Sequence, residues 1–189
     1  MSNGLLLVTM EPPPGMSEEF HDWYDTEHVP ERLALPGFRT ATRWVCRHGW
    51  PRFLALYDLD SPAALERPEY LAVSGSNFSP WSRRILPRTV GRVRVVAEQV
   101  TPGTADLPRP DQVACLVTAR YPEPLASLAN LALPGLLQLR TFRCVDGSPH
   151  GWVVAAFSRA TGMADVERAF GTLGTIDASL INVYVPYTR

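Results

Sequence analysis

Hydrophobic positions along the chain fall into short runs set between turn residues, and the runs form two matching sets. The first set begins with Leu5-Leu6-Leu7-Val8-Thr9-Met10, continues through a helical stretch to Leu35-Pro36-Gly37-Phe38, and passes Cys46 into Phe53-Leu54-Ala55-Leu56-Tyr57. The second begins with Ala114-Cys115-Leu116-Val117-Thr118-Ala119, reaches Leu133-Pro134-Gly135-Leu136, and passes Cys144 into Trp152-Val153-Val154-Ala155-Ala156-Phe157. The two Leu-Pro-Gly elements stand as far apart along the chain as the two cysteines do, which marks an internal repeat. Alternation at Val93/Val95 and Val183/Val185 adds a half-buried strand at the end of each copy. The first copy therefore predicts strands near 4–10, 37–47, 52–58 and 90–100, with helices near 17–34 and 61–73 and a further turn near 79–86. The second predicts strands near 112–120, 135–144, 151–158 and 179–186, with helices near 123–133 and 162–172. Ser17 and Ser61 stand where N-caps belong.

Strand-helix-strand-strand-helix-strand is the ferredoxin-like arrangement, an antiparallel sheet with both helices on one face. The other face would leave apolar side chains in water, and two copies solve this by packing sheet against sheet. The expected fold is thus α+β, with two tandem ferredoxin-like βαββαβ repeats packed sheet on sheet within one chain. The Pro- and Gly-rich segment Thr101–Pro110 is the natural joint. The expected division is a first repeat over 1–101 that carries the site, a linker over 102–111, and a degenerate second repeat over 112–189. A small-molecule site is expected between sheet and helices or between the two sheets. The chain is expected to be a monomer with an internal pseudo-dimer, or a homodimer.

Composition narrows the function. The 189 residues carry 18 Lys+Arg against 19 Asp+Glu, and a net charge of -1 supplies no electrostatic drive toward nucleic acid or an anionic membrane. Every cation is Arg, which removes Schiff-base lysine chemistry and Lys-dependent phosphate loops. Three cysteines without C-x-x-C spacing, and a start lacking a basic leader, fit a cytoplasmic location. No apolar run reaches the roughly 18 residues of a membrane span. The chain has no G-x-S-x-G, G-x-G-x-x-G or H-E-x-x-H motif, so the common hydrolase, dinucleotide and zincin sites are not expected.

Candidate chemistry concentrates in the first helix. His21, Asp25 and His28 follow i, i+4, i+7 spacing and would share one face of a continuous helix, with Tyr24 one turn before His28. Pro30 should break the helix just after His28 and let the imidazole project into a cavity. His28 then reads as a general acid/base assisted by Tyr24 or Asp25, or as a structural side chain bonded to the kinked backbone. A metal held by His21, Asp25 and His28 is not expected, because three ligands on one helix span too much of it for one ion. Arg43 could hold a carboxylate or enolate, or form an ordinary ion pair. Trp23, Trp44 and Trp81 lie in the first copy and could line a pocket for a flat apolar ligand, or be core. Arg84 is a candidate anchor for an anionic group or part of a solvated face. Tyr57 and Tyr70 are candidate pocket hydroxyls.

The run Phe20-His21-Asp22-Trp23-Tyr24-Asp25-Thr26-Glu27-His28-Val29-Pro30 resembles the EthD-like branch of the dimeric α/β-barrel superfamily. Leu35-Pro36-Gly37-Phe38, Arg43, Pro68-Glu69-Tyr70-Leu71 and Trp81-Ser82-Arg83-Arg84 extend the likeness over most of residues 4–100. The resemblance implies an intrachain dimeric α/β barrel and, for function, a cofactor-independent enzyme acting on a hydrophobic small molecule. The main expectation is proton transfer next to a carbonyl, giving isomerisation, cyclisation, dehydration or elimination of a polyketide-like or lactone-like substrate. The alternatives are a cofactor-free monooxygenase of an aromatic substrate and a non-catalytic accessory protein. His28, Tyr24, Asp25 and Arg43 would be catalytic; Trp23, Trp44, Tyr57, Trp81 and Arg84 would bind substrate; no cofactor is expected.

Overall fold

The structure, a computed structural model, describes residues 3–101, 106–122, 133–171 and 181–188. The described strands are β1 (Gly4–Glu11), β2 (Phe38–His48), β3 (Phe53–Leu59), β4 (Val90–Gln99), β5 (Cys115–Pro122), β6 (Leu136–Cys144), β7 (His150–Phe157) and β8 (Asn182–Pro186). All the expected strands are present to within a few residues. The helix expected near 123–133 falls almost wholly outside the described residues, as do residues 102–105 of the expected linker. No helix of the described residues is long and apolar enough to cross a membrane.

The strands close into an antiparallel barrel in the order β1-β3-β2-β8-β5-β7-β6-β4. Closure is made at two seams. At one, β2 pairs with β8 through Trp44 opposite Pro186 and Val45 opposite Val185; at the other, β4 pairs with β6 from Ala97–Cys144 to Gln99–Phe142. The expected pair of sheets laid face to face is therefore one continuous ring. Joining the sheets edge to edge satisfies backbone groups that open edges would leave unpaired.

Strand alternation sorts the side chains into layers. Leu5 and Leu7 of β1 point into the lumen, where Trp44, Leu54, Leu56, Phe142 and Tyr184 fill it. Leu6 and Met10 point outward and are covered by the first helical stretch, packing with Phe20, Trp23, Tyr24 and Tyr57. A third cluster lies outside the second half, where Val166 of α5 (Met163–Gly171) meets Val117, Val153 and Phe157. Because the lumen is packed, it is no ligand channel, and space for a small molecule has to be sought in the outer layers.

The first helical stretch departs from expectation at Pro30. Instead of breaking there, α1 (Ser17–Trp23) runs through a π-helical turn (Tyr24–His28) into α2 (Val29–Leu33). Val29 stays helical at φ -66°, ψ -48°, and its N–H reaches back to the Tyr24 carbonyl. The wide turn has already shifted the hydrogen-bond register where proline's missing donor falls, and Pro30 sits in the first turn of α2, where it is tolerated. The helix expected at 61–73 splits into a 3-10 turn at Pro62–Glu66 and α3 (Pro68–Leu71). Pro68 holds Arg67 extended at φ -66°, ψ 145°, which ends the first piece. Ser17 lies inside α1, with Met16 at the N-cap, and Ser61 occupies an N-cap without a side-chain cap bond. The hydroxyl that caps is Ser79, which accepts from the Ser82 N–H at the start of α4 (Pro80–Ile85).

Candidate active site

A cavity of about 350 Å³ lies between the outer face of the first-half sheet and the helices over it. Its floor is Leu6, Val8 and Met10 of β1 and Tyr57 of β3, and Arg92 and Arg94 of β4 line its exposed edge. Tyr24, His28 and Arg32 form one wall, each one turn beyond the last, and Tyr70, Ser74, Phe78 and Leu86 come from the segments that follow β3. The lining is largely apolar, with polar groups from a few directions, which is the usual make-up of a small-molecule site.

His28 is held between aromatic rings. The Trp23 ring stacks on the imidazole at 4.4 Å, and Tyr24 meets it edge-on at 5.5 Å. Trp23 is itself pinned from behind, its Nε1–H donating to Ser82 Oγ at 3.0 Å. His28 Nδ1 is buried without a hydrogen-bond partner among the described residues. Burial first, and the nearby Arg32 cation second, push the His28 pKa down to about 3. The imidazole is therefore neutral at neutral pH. Its folded pKa lies below the unfolded value, so the unfolded chain binds the extra proton as pH falls from about 6.5 toward 3, and stability drops across that window. Imidazole NMR of the ligand-free protein should show no titration of His28 between pH 5 and 8, and His28→Asn should flatten part of the acid loss of stability. A normal His28 titration near pH 6.5 would contradict this account.

Two phenols face the same space. Among the described residues Tyr24 Oη reaches only the weak acceptor Met10 Sδ, at 3.9 Å, and Tyr57 Oη has no partner. Burial drives both pKa values upward, against the opposing influence of Arg43 on each, so both remain protonated donors. Arg32 is 2% exposed; its Nη2 donates to the Val73 carbonyl at 2.7 Å and to Glu31, and its Nη1 has no partner among the described residues. The guanidinium lies 5.2 Å from the Tyr70 ring centre.

The other expected site residues lie elsewhere. Asp25 and His21 occupy the adjoining stripe of the helix and both meet Arg43, which pairs with the Asp25 carboxylate and lies 2.8 Å from His21 Nδ1. Arg43 is stacked between the rings of Tyr24, at 4.5 Å, and Tyr187, at 4.0 Å. It thus backs Tyr24 and is not part of the cavity lining. His21, Asp25 and His28 do not converge; His28 turns to the cavity while the other two turn to Arg43. Trp44 is sealed in the lumen with Nε1–H donating to Thr42 Oγ1. Trp81 packs partly buried in the outer layer, and Arg84 pairs with Glu19 on the surface at 2.9 Å. The structure therefore brings together His28, Tyr24, Tyr57 and Tyr70, with Trp23 behind His28.

Arg32, Arg92, Arg94, Met10 and Phe78 were not anticipated. Two of these signals were present in the sequence: Arg32 continues the four-residue spacing from Tyr24 through His28, and Arg92 and Arg94 alternate with Val93 and Val95, so they share the face opposite the valines.

Comparison with solved structures places the barrel among known folds. An anthrone oxidase-like protein superposes with a TM-score of 0.63 at 11% identity, over 99% of this chain and 92% of that one. A monooxygenase candidate from Fusobacterium nucleatum gives 0.60 at 6% identity, over 99% and 93%. Another from Lactobacillus acidophilus gives 0.53 at 9% identity, over 98% and 94%. At these identities the likeness is one of fold: the chain shares the overall architecture of these structures. No protein-family model matches the sequence, and no curated protein was found to match it.

Proposed function

We propose that the chain is a cofactor-independent monooxygenase of an anthrone- or phenol-type aromatic substrate, bound in the cavity at His28. On this reading it is a fused pair of ferredoxin-like repeats of the EthD-like kind, with the site in the first repeat. The half-barrel orders β4-β1-β3-β2 and β8-β5-β7-β6, which repeat one pattern, support the fusion. One chain then completes the barrel by itself, and a monomer suffices.

The observation that carries the reading is the pair of buried phenol donors, Tyr24 and Tyr57, without good acceptors beside a neutral imidazole and the Arg32 guanidinium. An enolate or phenolate oxygen would supply the missing acceptor for both hydroxyls. Charge developing on that oxygen would be met by preorganised donors and a nearby cation in a site shielded from water. The acidic substrate proton moves to His28, a weak base that holds it while the substrate anion is beside it. The anion reduces dioxygen. For an anthrone, the methylene carbon loses its two hydrogens and gains one oxygen as a carbonyl; the second oxygen atom leaves with those hydrogens as water. The likeness to anthrone oxidase-like and monooxygenase-candidate structures favours oxygen chemistry over proton transfer alone.

Oxygen uptake tests this. With 1,8-dihydroxyanthrone, added metal chelator and no added cofactor, the protein should consume one O₂ per substrate and place one labelled oxygen atom from ¹⁸O₂ in the product. Turnover to an isomer of unchanged mass, with no oxygen consumed, would replace oxygenation by proton-transfer chemistry at the same residues.

A further inference from the structure

We propose that the substrate carries a carboxylate, which Arg92 and Arg94 bind at the mouth of the cavity while its aromatic body fills the apolar interior. This rests on the cavity being the substrate site, and it adds the charge of the substrate to that reading.

Three guanidiniums line the cavity, and no Asp or Glu lines it among the described residues. That is a concentrated positive site in a chain whose net charge is -1. The three cations hold different positions. Arg32 is almost fully buried, anchored through Nη2 to the Val73 carbonyl and paired with Glu31 at 3.0 Å, so its charge is largely offset within the wall. Arg92 and Arg94 are exposed at the rim and form no ion pair among the described residues; Arg94 Nη2 only shares the Tyr70 hydroxyl at 3.3 Å. Residues two apart on a strand face the same way about 7 Å apart. Two guanidiniums at that spacing can close on one small planar anion, and guanidinium matches carboxylate by paired N–H donors. A dianionic group would lose more hydration on entering a rim built against Leu6, Val8 and Phe78, so a single carboxylate fits better than a phosphate.

The orientation follows. With the acid at Arg92 and Arg94, the ring system lies over Leu6, Val8 and Met10 and reaches Tyr57 and His28, and Tyr24, which feels the Arg92 charge, also faces it. The mouth arginines select and align the substrate, and the interior groups act on it.

The test is equilibrium binding, read without turnover. Anthracene-2-carboxylate and anthracene-2-carboxamide have nearly the same shape and differ in charge. By ligand fluorescence at low salt, the acid should bind the wild-type protein at least tenfold tighter than the amide. Raising ionic strength should shrink that ratio, because the rim is exposed. Arg92→Gln combined with Arg94→Gln should reduce the ratio to near one, while Arg83→Gln, on the exposed helix surface away from the cavity lining, should leave it unchanged. Equal binding of acid and amide, binding of neither, or a ratio that survives the double substitution would overturn the proposal. Oxygen uptake on a neutral anthrone is read separately, so charge preference and oxygenase chemistry can fail independently.

Discussion

Replacing Asp58 by Ala should destabilise the fold by about 3–5 kcal/mol, the effect of leaving one partner of a buried ion pair without the other. Asp58 stands on β3 two residues beyond Leu56 and so points into the lumen, and Arg140 reaches it from β6 two residues before Phe142. Arg140 Nη1 lies 2.6 Å from Asp58 Oδ1, with the two side chains 3% and 2% exposed. Asp58 Oδ2 also accepts from Thr40 Oγ1 and from the Leu107 N–H, each at 2.8 Å. One carboxylate therefore ties β2, β3, β6 and the segment before β5 together at one end of the barrel. Its removal takes a carboxylate at 2.6 Å away from a guanidinium in a closed interior and frees a buried backbone N–H. Urea unfolding should show Asp58→Ala and Arg140→Ala each strongly destabilised, while Asp58→Leu combined with Arg140→Met should recover much of the loss, since neither buried charge remains. Single variants within about 1 kcal/mol of wild type would show that the pair does not hold the barrel end shut.

That pair also marks the limit of what the sequence discloses. Every strand was legible, because alternating apolar residues between Gly and Pro turns are a local signal and each strand is decided within its own few residues. Asp58 and Arg140 look like surface residues locally; their meeting depends on ring closure and on strands far apart in the chain. The same reason hides the division of labour among His21, Asp25 and His28. Ideal helical spacing puts them on one face, but the π turn at Tyr24–His28 widens the helix there, and Arg43 from β2 claims His21 and Asp25. Pro30 is the visible cue, and by itself it predicts a break, because the preceding turn's capacity to absorb it is not a property of Pro30 alone. Trp44 and Arg43 illustrate a further limit. Alternation says that they face opposite ways, but only the closed barrel says which face is lumen and which is helix-covered. His28 and Tyr24 can be singled out from the sequence because one helix carries both; Tyr57, Arg92 and Arg94 join them from two strands.

On the proposed oxygenase reading, Tyr57→Phe should lower turnover by about 100-fold or more while leaving the protein at least as stable as wild type. The two halves of that expectation have one cause. Tyr57 is 2% exposed, and its hydroxyl has no partner among the described residues. A buried hydroxyl without a partner carries a desolvation cost of about 1–3 kcal/mol, and phenylalanine keeps the ring while removing that cost. The ring also keeps its edge-on contact with Phe38 at 5.9 Å. A group retained at a cost to folding is expected where it serves the reaction, and losing one preorganised donor to a developing oxyanion typically costs about 10²–10³ in rate. Tyr24→Phe should lower turnover similarly without the same gain in stability, because its hydroxyl has the Met10 sulfur as a weak acceptor. Thermal unfolding and steady-state oxygen uptake on the same preparations separate the effects. A Tyr57→Phe protein that melts higher and turns over slowly supports the donor role. One that turns over like wild type removes Tyr57 from the chemistry and leaves its hydroxyl without a reason to be there.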